Sequence, residues 1–405
     1  MVYPRVSLYA MMLAAAGIPL YIHLPRFAAL NLGLDLAVIG TVLLLIRVVD
    51  LAQDPLFGWA IDRWPLQQSA FALLAAGGLA IGFPMLFSLS PGPYLVPALV
   101  ALLVLLFSAY SLGMILLYGR SATLARSVTP DELMTVATYR EIGMLFGVVL
   151  AAVAPAVFAG LGIAGQGYPA FGWFLGAIAV ISAWGTRQIW WRKPILGSRI
   201  SLAGLAGAGA LRLLIIALIN SLPVAMTSTL FLFFVEDRLQ LAGKAGLLLV
   251  LFFASAGISV PFWARLSRRI GPRNVLLLAM PLSIVGFIGA GFLAPGQLFA
   301  FAAICVVSGA ALGADMVVLP AMFSVALTRA GVNAGAAFGL WSFAGKLGLA
   351  LAAFIVLPVL GRSGFTPGVS NSEDALMTLN AAYAFVPCVL KLVALGFVLR
   401  LPTKE

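Results

Sequence analysis

The stretch Arg47-Val-Val-Asp-Leu-Ala-Gln-Asp-Pro-Leu-Phe-Gly-Trp-Ala-Ile-Asp-Arg63 places ionisable side chains inside an otherwise apolar segment. In a helix, positions three or four residues apart lie on one face. One polar stripe therefore carries Arg47, Asp50, Asp54, Gly58 and Asp62. A charged group inside a bilayer costs about 2.5–3.5 kcal/mol even on the lenient insertion scale, so intramembrane acids are functional by default. The stripe predicts a cation or proton site at Asp50 and Asp54, and a structural ion pair of Arg47 with Asp50 is the alternative.

The composition is that of a polytopic helical membrane protein. Of the 405 residues, 63% are hydrophobic and 9% are charged, whereas a typical soluble chain carries about 25% charged residues. The net charge of +11 comes mostly from short loops, a pattern that sets membrane orientation, so we expect no nucleic-acid partner. Two cysteines in apolar runs, one histidine and no phosphate-binding loop argue against a disulfide framework and against an enzyme.

Twelve apolar runs of about 20 residues or more predict twelve transmembrane helices. The loops after the even-numbered helices carry most of the Arg and Lys residues, which predicts that both termini are cytoplasmic. We expect a multi-pass protein of the bacterial inner membrane. The runs fall near 7–30, 36–60, 68–89, 94–119, 138–160, 168–191, 203–234, 243–264, 274–294, 297–326, 333–360 and 376–400.

An internal repeat divides the chain into halves. Pro55-Leu-Phe-Gly-Trp-Ala-Ile-Asp-Arg63 and Pro261-Phe-Trp-Ala-Arg-Leu-Ser-Arg-Arg269 end their helices with the same proline-to-basic spacing, about half the chain apart. The same offset relates Arg140 of helix 5 to Lys346 of helix 11. Parallel six-helix repeats are the layout of major facilitator transporters. The prediction is an all-α membrane protein with a six-helix bundle at 1–192, a cytoplasmic linker at 193–202 and a second six-helix bundle at 203–405.

Two motifs give the chain a more specific resemblance. Arg47-x-x-Asp50-x-x-x-Asp54-Pro55-x-x-Gly58-x-x-x-Asp62-Arg63 resembles the signature of the glycoside–pentoside–hexuronide:cation symporter family, the melibiose permease relatives. Gly335-Ala-Ala-Phe-Gly-Leu-Trp-Ser-Phe-Ala-Gly-Lys346 resembles helix 11 of that family. The resemblance implies a major facilitator fold and a secondary transporter coupled to Na⁺ or H⁺. It also implies that Asp50 and Asp54 bind the cation, that Lys346 approaches them, and that Arg140 faces the substrate cavity.

Three departures from the family pattern concern the ion and the solute. Melibiose-type members carry an acid early in helix 1 that helps to hold the sugar, but Leu13-Ala-Ala-Ala-Gly-Ile-Pro19 has none. The third cation ligand, in helix 4, is replaced by Ile115, and the family's Asn beside the second acid is replaced by Gln53. A site with fewer oxygen ligands favours a proton over sodium, and the missing acid argues against a galactoside.

Charge arithmetic suggests how the ion could act. Asp50, Asp54, Arg47 and Lys346 form a neutral set when all four are ionised. A bound cation or proton makes the set positive and weakens the hold on Lys346, which gives the differential effect that a switch requires. We expect Asp54, beside the helix-loosening Pro55, to exchange its ion. Asp50 and Asp54 would be metal ligands only under sodium coupling, and no other cofactor is expected.

The candidate substrate-binding residues lie in four helices. Four of them have a structural alternative: a local surface ion pair for the Arg140–Glu141 pair, a bond to a neighbouring helix for Asn220, and simple packing for Trp341. Asp315, isolated in helix 10, needs a partner, for which Arg212 is the candidate. The substrate-binding set is Arg140, Glu141, Tyr118, Asn220 and Trp341.

Taken together, these features predict a monomeric, cation-coupled symporter that moves a small polar organic solute, a sugar or sugar-like compound, by alternating access. Its partners would be the solute and the lipid bilayer. One alternative is a transporter of an amphipathic lipid-like or drug-like molecule, which the acid-free helix 1 favours. The second alternative is a non-transporting membrane assembly factor. The presence of Asp50, Asp54 and Lys346 argues against it, because such a factor has no need of charged groups that are costly to desolvate.

Overall fold

A computed structural model describes the chain apart from residues 1, 21–23, 25–26, 29–30, 35, 161–166, 196, 199–201, 208, 242, 367, 369 and 403–405. The side chains at 18, 36, 37, 40, 44, 47, 152, 153, 155–157, 159, 160, 202, 203 and 353 also lie outside the described set. Within the described part, the fold consists of helices joined by short connections, with one isolated backbone bridge between Ser198 and Val332.

The long helices correspond one to one with the predicted apolar runs, and the all-α membrane fold is confirmed. Over the described residues, ten of them, α3 to α12, are long and apolar enough to cross a membrane. The membrane orientation of the termini stays a prediction. The long helices are α1 (Tyr3–Ile18), α2 (Leu36–Arg63), α3 (Gln68–Phe87), α4 (Leu95–Gly119), α5 (Pro130–Gly160), α6 (Gly167–Thr186), α7 (Ala210–Phe233), α8 (Ala245–Ile270), α9 (Pro272–Ile288), α10 (Leu298–Arg329), α11 (Ala334–Arg362) and α12 (Glu373–Leu399).

Local chemistry sets several of the helix ends. α5 begins at Pro130, earlier than the apolar run near 138, because proline at the first position and the acids Asp131 and Glu132 suit a helix N-terminus. α12 begins at a conventional cap, where the Ser372 hydroxyl accepts a hydrogen bond from the N–H of Ala375 at 3.3 Å. The apolar run therefore covers only part of such a helix. The polar first turn lies before the run and makes the helix longer than the run predicts.

Internal contacts divide the chain into two compact units. The first unit comprises Met1–Leu205 with Ser324–Phe343, and the second comprises Ala206–Phe323 with Ala344–Glu405. In the first unit, α1 packs on α5, and α3 packs on α4 and α6. In the second unit, α12 packs on α7 and α9. The boundaries at 192 and 203 that the repeat suggested stay a prediction.

The start of α11 belongs to the first unit and is held there by the segment that follows α6. The N–H of Ser198 donates to the Gly331 carbonyl at 2.6 Å, and the N–H of Asn333 donates back to the Ser198 carbonyl at 3.0 Å. The Asn333 side chain also accepts from the N–H of Gly197 at 2.8 Å. This pairing fixes the entry into α11, which then runs along α2 and reaches its acids.

Candidate functional site

Both acids in the middle of α2 are fully buried in the first unit. Asp50 and Asp54 have 0% exposure. The Gln53 amide nitrogen donates to Asp50 Oδ1 at 2.8 Å, and the Ser108 hydroxyl of α4 donates to the Gln53 amide oxygen at 2.6 Å. Asp50 is therefore connected through Gln53 to α4.

The second acid is connected to a different helix. The Ser342 hydroxyl of α11 donates to Asp54 Oδ2 at 2.5 Å. α11 comes this close because it carries glycine where it crosses α2. A Cβ atom at Gly339 would lie 2.7 Å from the Asp54 carbonyl oxygen. The acid pair thus lies where α2, α4 and α11 meet, and amide and hydroxyl groups are its polar neighbours.

Asp62, at the end of the polar stripe, holds the start of α11 against α2. The Asp62 carboxylate accepts from the N–H groups of Gly335 at 2.9 Å and Ala336 at 2.7 Å, so it caps the N-terminus of α11. The buried guanidinium of Arg120, just after α4, donates to the Ile61 carbonyl at 2.6 Å. The end of α2 is therefore fastened to both helices that contact its acids.

A second polar cluster joins α4 to α5. Arg140 Nε donates to Glu141 Oε1 at 2.9 Å, and the Tyr118 hydroxyl donates to the same oxygen at 3.2 Å. The Arg140 guanidinium lies over the Tyr118 ring, 3.6 Å from its centroid. Arg140 is 1% and Glu141 2% exposed. The pair is local, but it is buried and not the surface ion pair that one alternative expected.

An aromatic row extends from this cluster into α11. The Tyr118 and Phe338 ring centroids are 5.6 Å apart, and those of Phe338 and Trp341 are 6.1 Å apart. Four of the predicted substrate-binding residues, Arg140, Glu141, Tyr118 and Trp341, therefore belong to one continuous set of contacts within the first unit.

The fifth candidate, Asn220, lies in the second unit. Its amide oxygen accepts from Lys391 Nζ of α12 at 2.6 Å, and the same ammonium group pairs with Asp315 of α10. The expectation that Arg212 pairs with Asp315 is wrong, because Arg212 is exposed and donates to the Arg400 carbonyl at 3.3 Å. Sequence reasoning missed Lys391, although a lone lysine inside the apolar run of helix 12 was the available signal.

Two members of the predicted cation-coupling set cannot be placed beside the acids. The Arg47 side chain lies outside the described residues. Lys346 is partly buried in the portion of α11 that belongs to the second unit, and its approach to Asp50 and Asp54 stays a prediction. Across the described residues, no group of three or more His, Cys, Asp or Glu side chains is arranged to hold a metal ion.

The whole-chain match settles the family. A family described as MFS/sugar transport protein matches residues 6–405. The chain belongs to this family. The resemblance carried by the helix-2 and helix-11 motifs is confirmed, and this multi-pass MFS protein is a transporter and not an enzyme.

Individual relatives of this MFS chain are distant. It is 25% identical over 395 residues to the isoprimeverose transporter of Lactiplantibacillus pentosus, covering 88% of this chain and 79% of that protein. A bacterial homologue of the iron transporter ferroportin, solved in an outward-facing state, has a TM-score of 0.71 at 14% identity, covering 99% of both chains. The human organic anion transporter MFSD10 has a TM-score of 0.67 at 15% identity, covering 98% of both chains. These structural likenesses establish the fold alone.

Proposed function

We propose that this MFS transporter is a symporter that couples the entry of a cation to the movement of a sugar-like solute by alternating access. The observation that carries the proposal is the pair of fully buried carboxylates, Asp50 and Asp54, each linked to a different helix. Burying two acids on one helix face of a membrane protein is costly, and acids retained at that cost usually serve a function. The similarity to an isoprimeverose transporter supports the sugar-like solute.

The same contacts suggest how the ion would act. Protonating Asp54, or placing a cation beside it, weakens its acceptance of the Ser342 hydrogen bond from α11, while Asp50 remains bonded to Gln53. An ion that changes one interhelical bond can favour one conformation over another, which is the requirement for coupling. Asp54 is therefore the proposed ion-exchanging residue.

The orientation of Gln53 supports a proton as the coupling ion. Its amide nitrogen faces Asp50, and its amide oxygen is engaged by Ser108. Sodium requires oxygen ligands, so a donor group at this position occupies space where a ligand would be needed. A proton on a carboxylate needs no such ligand shell.

The Arg140–Glu141–Tyr118 cluster is the proposed solute contact. One guanidinium nitrogen of Arg140 and the Oε2 oxygen of Glu141 are buried without a hydrogen-bond partner among the described residues. Each such group costs about 1–3 kcal/mol when it is left unpaired. A hydroxyl group can both donate and accept, so a polyhydroxylated solute would satisfy both atoms. The aromatic row through Trp341 offers ring faces for an apolar side of a sugar.

Uptake into proteoliposomes tests this function against its rivals. Pooled pentoses, hexoses and disaccharides are offered under an imposed proton or sodium gradient, and transfer of a lysophospholipid is measured in parallel. We expect at least one sugar to accumulate only under a gradient, the proton gradient in particular. Sugar uptake that ignores both gradients, or transfer of the lysophospholipid alone, would overturn the proposal.

A further inference from the structure

A cavity of about 420 Å³ lies in the first unit where α6 ends, and neither Asp50 nor Asp54 lines it. Its walls come from α1, from the first turns of α3 and from the segment that follows α6. None of the residues that line it has a part in the proposed transport chemistry. Its polar and aromatic lining consists of Tyr9, Ser69, Thr186, Arg187, Trp190 and Trp191.

One positive charge is positioned at this cavity. The Arg187 guanidinium lies 5.4 Å from the centroid of the Trp184 ring and 6.0 Å from that of the Trp191 ring. The ion pairs found in the described part of the chain involve other cations, so Arg187 has no carboxylate partner there. Contact with two indole faces holds the guanidinium without neutralising it. Arg187 is therefore available to an anion.

The cavity also contains a hydrogen-bond donor without a partner. Trp190 is 3% exposed and packs edge-on against Tyr9, with ring centroids 4.8 Å apart. Its indole N–H has no acceptor among the residues that the structure describes. The hydroxyl groups of Ser69 and Thr186 lie in the same lining. The Thr186 hydroxyl already donates to the Ser182 carbonyl, so an oxyanion that entered the cavity would meet one full positive charge and the donors of Trp190 and Ser69.

The segment that carries Arg187 is held firmly against its neighbours. The Gln68 amide nitrogen donates to the Arg192 carbonyl, and the Arg192 guanidinium donates to the Leu124 carbonyl at 3.0 Å. The N–H of Ile195 donates to the Thr123 hydroxyl at 3.3 Å. The cavity is thus formed before any ligand arrives, which lowers the entropic cost of binding.

We propose that this cavity binds the phosphate-bearing headgroup of an anionic phospholipid. Trp184 is 69% and Trp191 67% exposed at the end of a transmembrane helix, the level at which indole rings meet headgroups. Arg187 supplies the counter-charge, and Arg192 and Lys193 follow directly in the sequence. The exposed indoles would pack against the first carbons of the acyl chains. A free phosphate ion would gain nothing from these apolar surfaces.

Native mass spectrometry of the detergent-purified protein tests the site without any transport assay. Phosphatidylglycerol, phosphatidylcholine and inorganic phosphate are titrated separately against wild type, Arg187→Gln and Trp190→Phe. The control is Arg268→Gln, which removes the same charge from the exposed end of α8. We expect wild type to retain phosphatidylglycerol in preference to phosphatidylcholine. Arg187→Gln should weaken that binding about fivefold, the effect of about 1 kcal/mol per basic residue, and Trp190→Phe should also weaken it.

Three results would overturn the proposal. One is equal binding of phosphatidylglycerol and phosphatidylcholine, and another is equal loss in Arg187→Gln and Arg268→Gln, which would indicate a diffuse effect of charge. The third is displacement of the lipid by inorganic phosphate, which would make the cavity a free-anion site. Because no solute is needed, these outcomes are independent of whether the symport proposal holds.

Discussion

The two buried acids of α2 accept hydrogen bonds from different elements, and the separate roles that we propose for them rest on this difference. Asp50 receives its hydrogen bond from Gln53 on the same helix, whereas Asp54 receives one from Ser342 on α11. A change in the charge of Asp54 therefore acts directly between helices. A change in the charge of Asp50 acts on Gln53 within α2, and Gln53 in turn is bonded to Ser108 of α4.

Ser342→Ala should alter the ion dependence of transport specifically. Without the Ser342 hydroxyl, Asp54 loses a hydrogen bond from α11 that is worth about 1.5 kcal/mol, so uptake should depend differently on the ion gradient. The measurement is initial uptake rate against pH at saturating solute. Ser363→Ala is the control, because the Ser363 hydroxyl, just after α11, donates to the Leu360 carbonyl at the end of that helix. An unchanged pH profile in Ser342→Ala would show that this bond does not set ion affinity.

Arg140→Lys should weaken the binding of solute while leaving ion dependence unchanged. Lysine keeps the charge but loses the planar group that lies 3.6 Å above the Tyr118 ring and donates to Glu141. We expect the KM for the solute to rise about tenfold, the effect of about 1.4 kcal/mol. Arg126→Lys is a matched control, because Arg126 lies over the Tyr3 ring at 4.9 Å in an exposed position. Equal effects of the two substitutions would remove Arg140 from the solute site.

The sequence predicted the charged members of the site better than the neutral ones. Asp50, Asp54 and Arg140 stand out because a charge inside an apolar run is rare and costly. Ser108 and Ser342 do not stand out, since single hydroxyl residues are common in membrane helices and often bond their own backbone. Their role depends on the rotation of α4 and α11 about their axes, which composition does not specify.

Helices α2 and α11 are in backbone contact, and this contact holds the acid pair in place. A Cβ atom at Gly58 would lie 2.5 Å from the Gly335 carbonyl oxygen and 2.8 Å from Ala336 Cα. Neither backbone atom can move without moving a helix. Close approach through small residues is how transmembrane helices associate. Glycine at 58 is thus required by the packing of the helices and not by its own torsion angles.

Gly58→Ala should lower the free energy of unfolding of the detergent-purified protein by about 1–3 kcal/mol, because the added methyl group overpacks the contact between α2 and α11. Gly77→Ala in α3 should be neutral or stabilising by up to about 1 kcal/mol, since nothing lies within 4 Å of the added atom and alanine favours helix. Melting followed by intrinsic fluorescence compares the two variants. Equal melting temperatures would mean that α2 and α11 do not pack as closely as described.

In the second unit, α10 and α12 are joined by the buried pair of Asp315 and Lys391. Lys391→Met leaves the Asp315 charge uncompensated and should cost about 3 kcal/mol of stability. The double variant Asp315→Asn with Lys391→Met removes both charges and should recover most of that loss. The measurement is again thermal melting in detergent. A double variant as unstable as the single one would indicate that shape, and not charge, is what the pair supplies.

The positions of the helices followed from apolar length, but their polar ends and their partners did not. In the part of the chain that the structure describes, the long helices lie on the predicted runs because a spanning helix must cross about 30 Å of hydrocarbon. The start of α5 at Pro130 was missed because its first turn is polar. The partner of Asp315 was missed because sequence spacing does not show which helices contact α10, whereas the structure brings Lys391 of α12 to Asp315.

For the molecule as a whole, the fold and the choice of solute are separate questions. A ferroportin homologue and an organic anion transporter have this fold at 14% and 15% identity, so the fold is compatible with very different cargo. The buried side chains carry the functional information. In this chain they combine a pair of acids with a guanidinium–carboxylate–tyrosine cluster, and on these two sets rests the proposal of separate ion and solute contacts.

The central claim is that Asp54 couples the ion to the solute, and one comparison tests it most directly. Wild type, Asp54→Asn and the control Asp131→Asn, an exposed acid at the start of α5, are reconstituted into proteoliposomes. Gradient-driven accumulation and gradient-free solute exchange are measured on the same preparations. We predict that Asp54→Asn abolishes accumulation but retains exchange, because the solute contacts on α4 and α5 are intact, and that Asp131→Asn retains both. Accumulation by Asp54→Asn at the wild-type level would contradict the account.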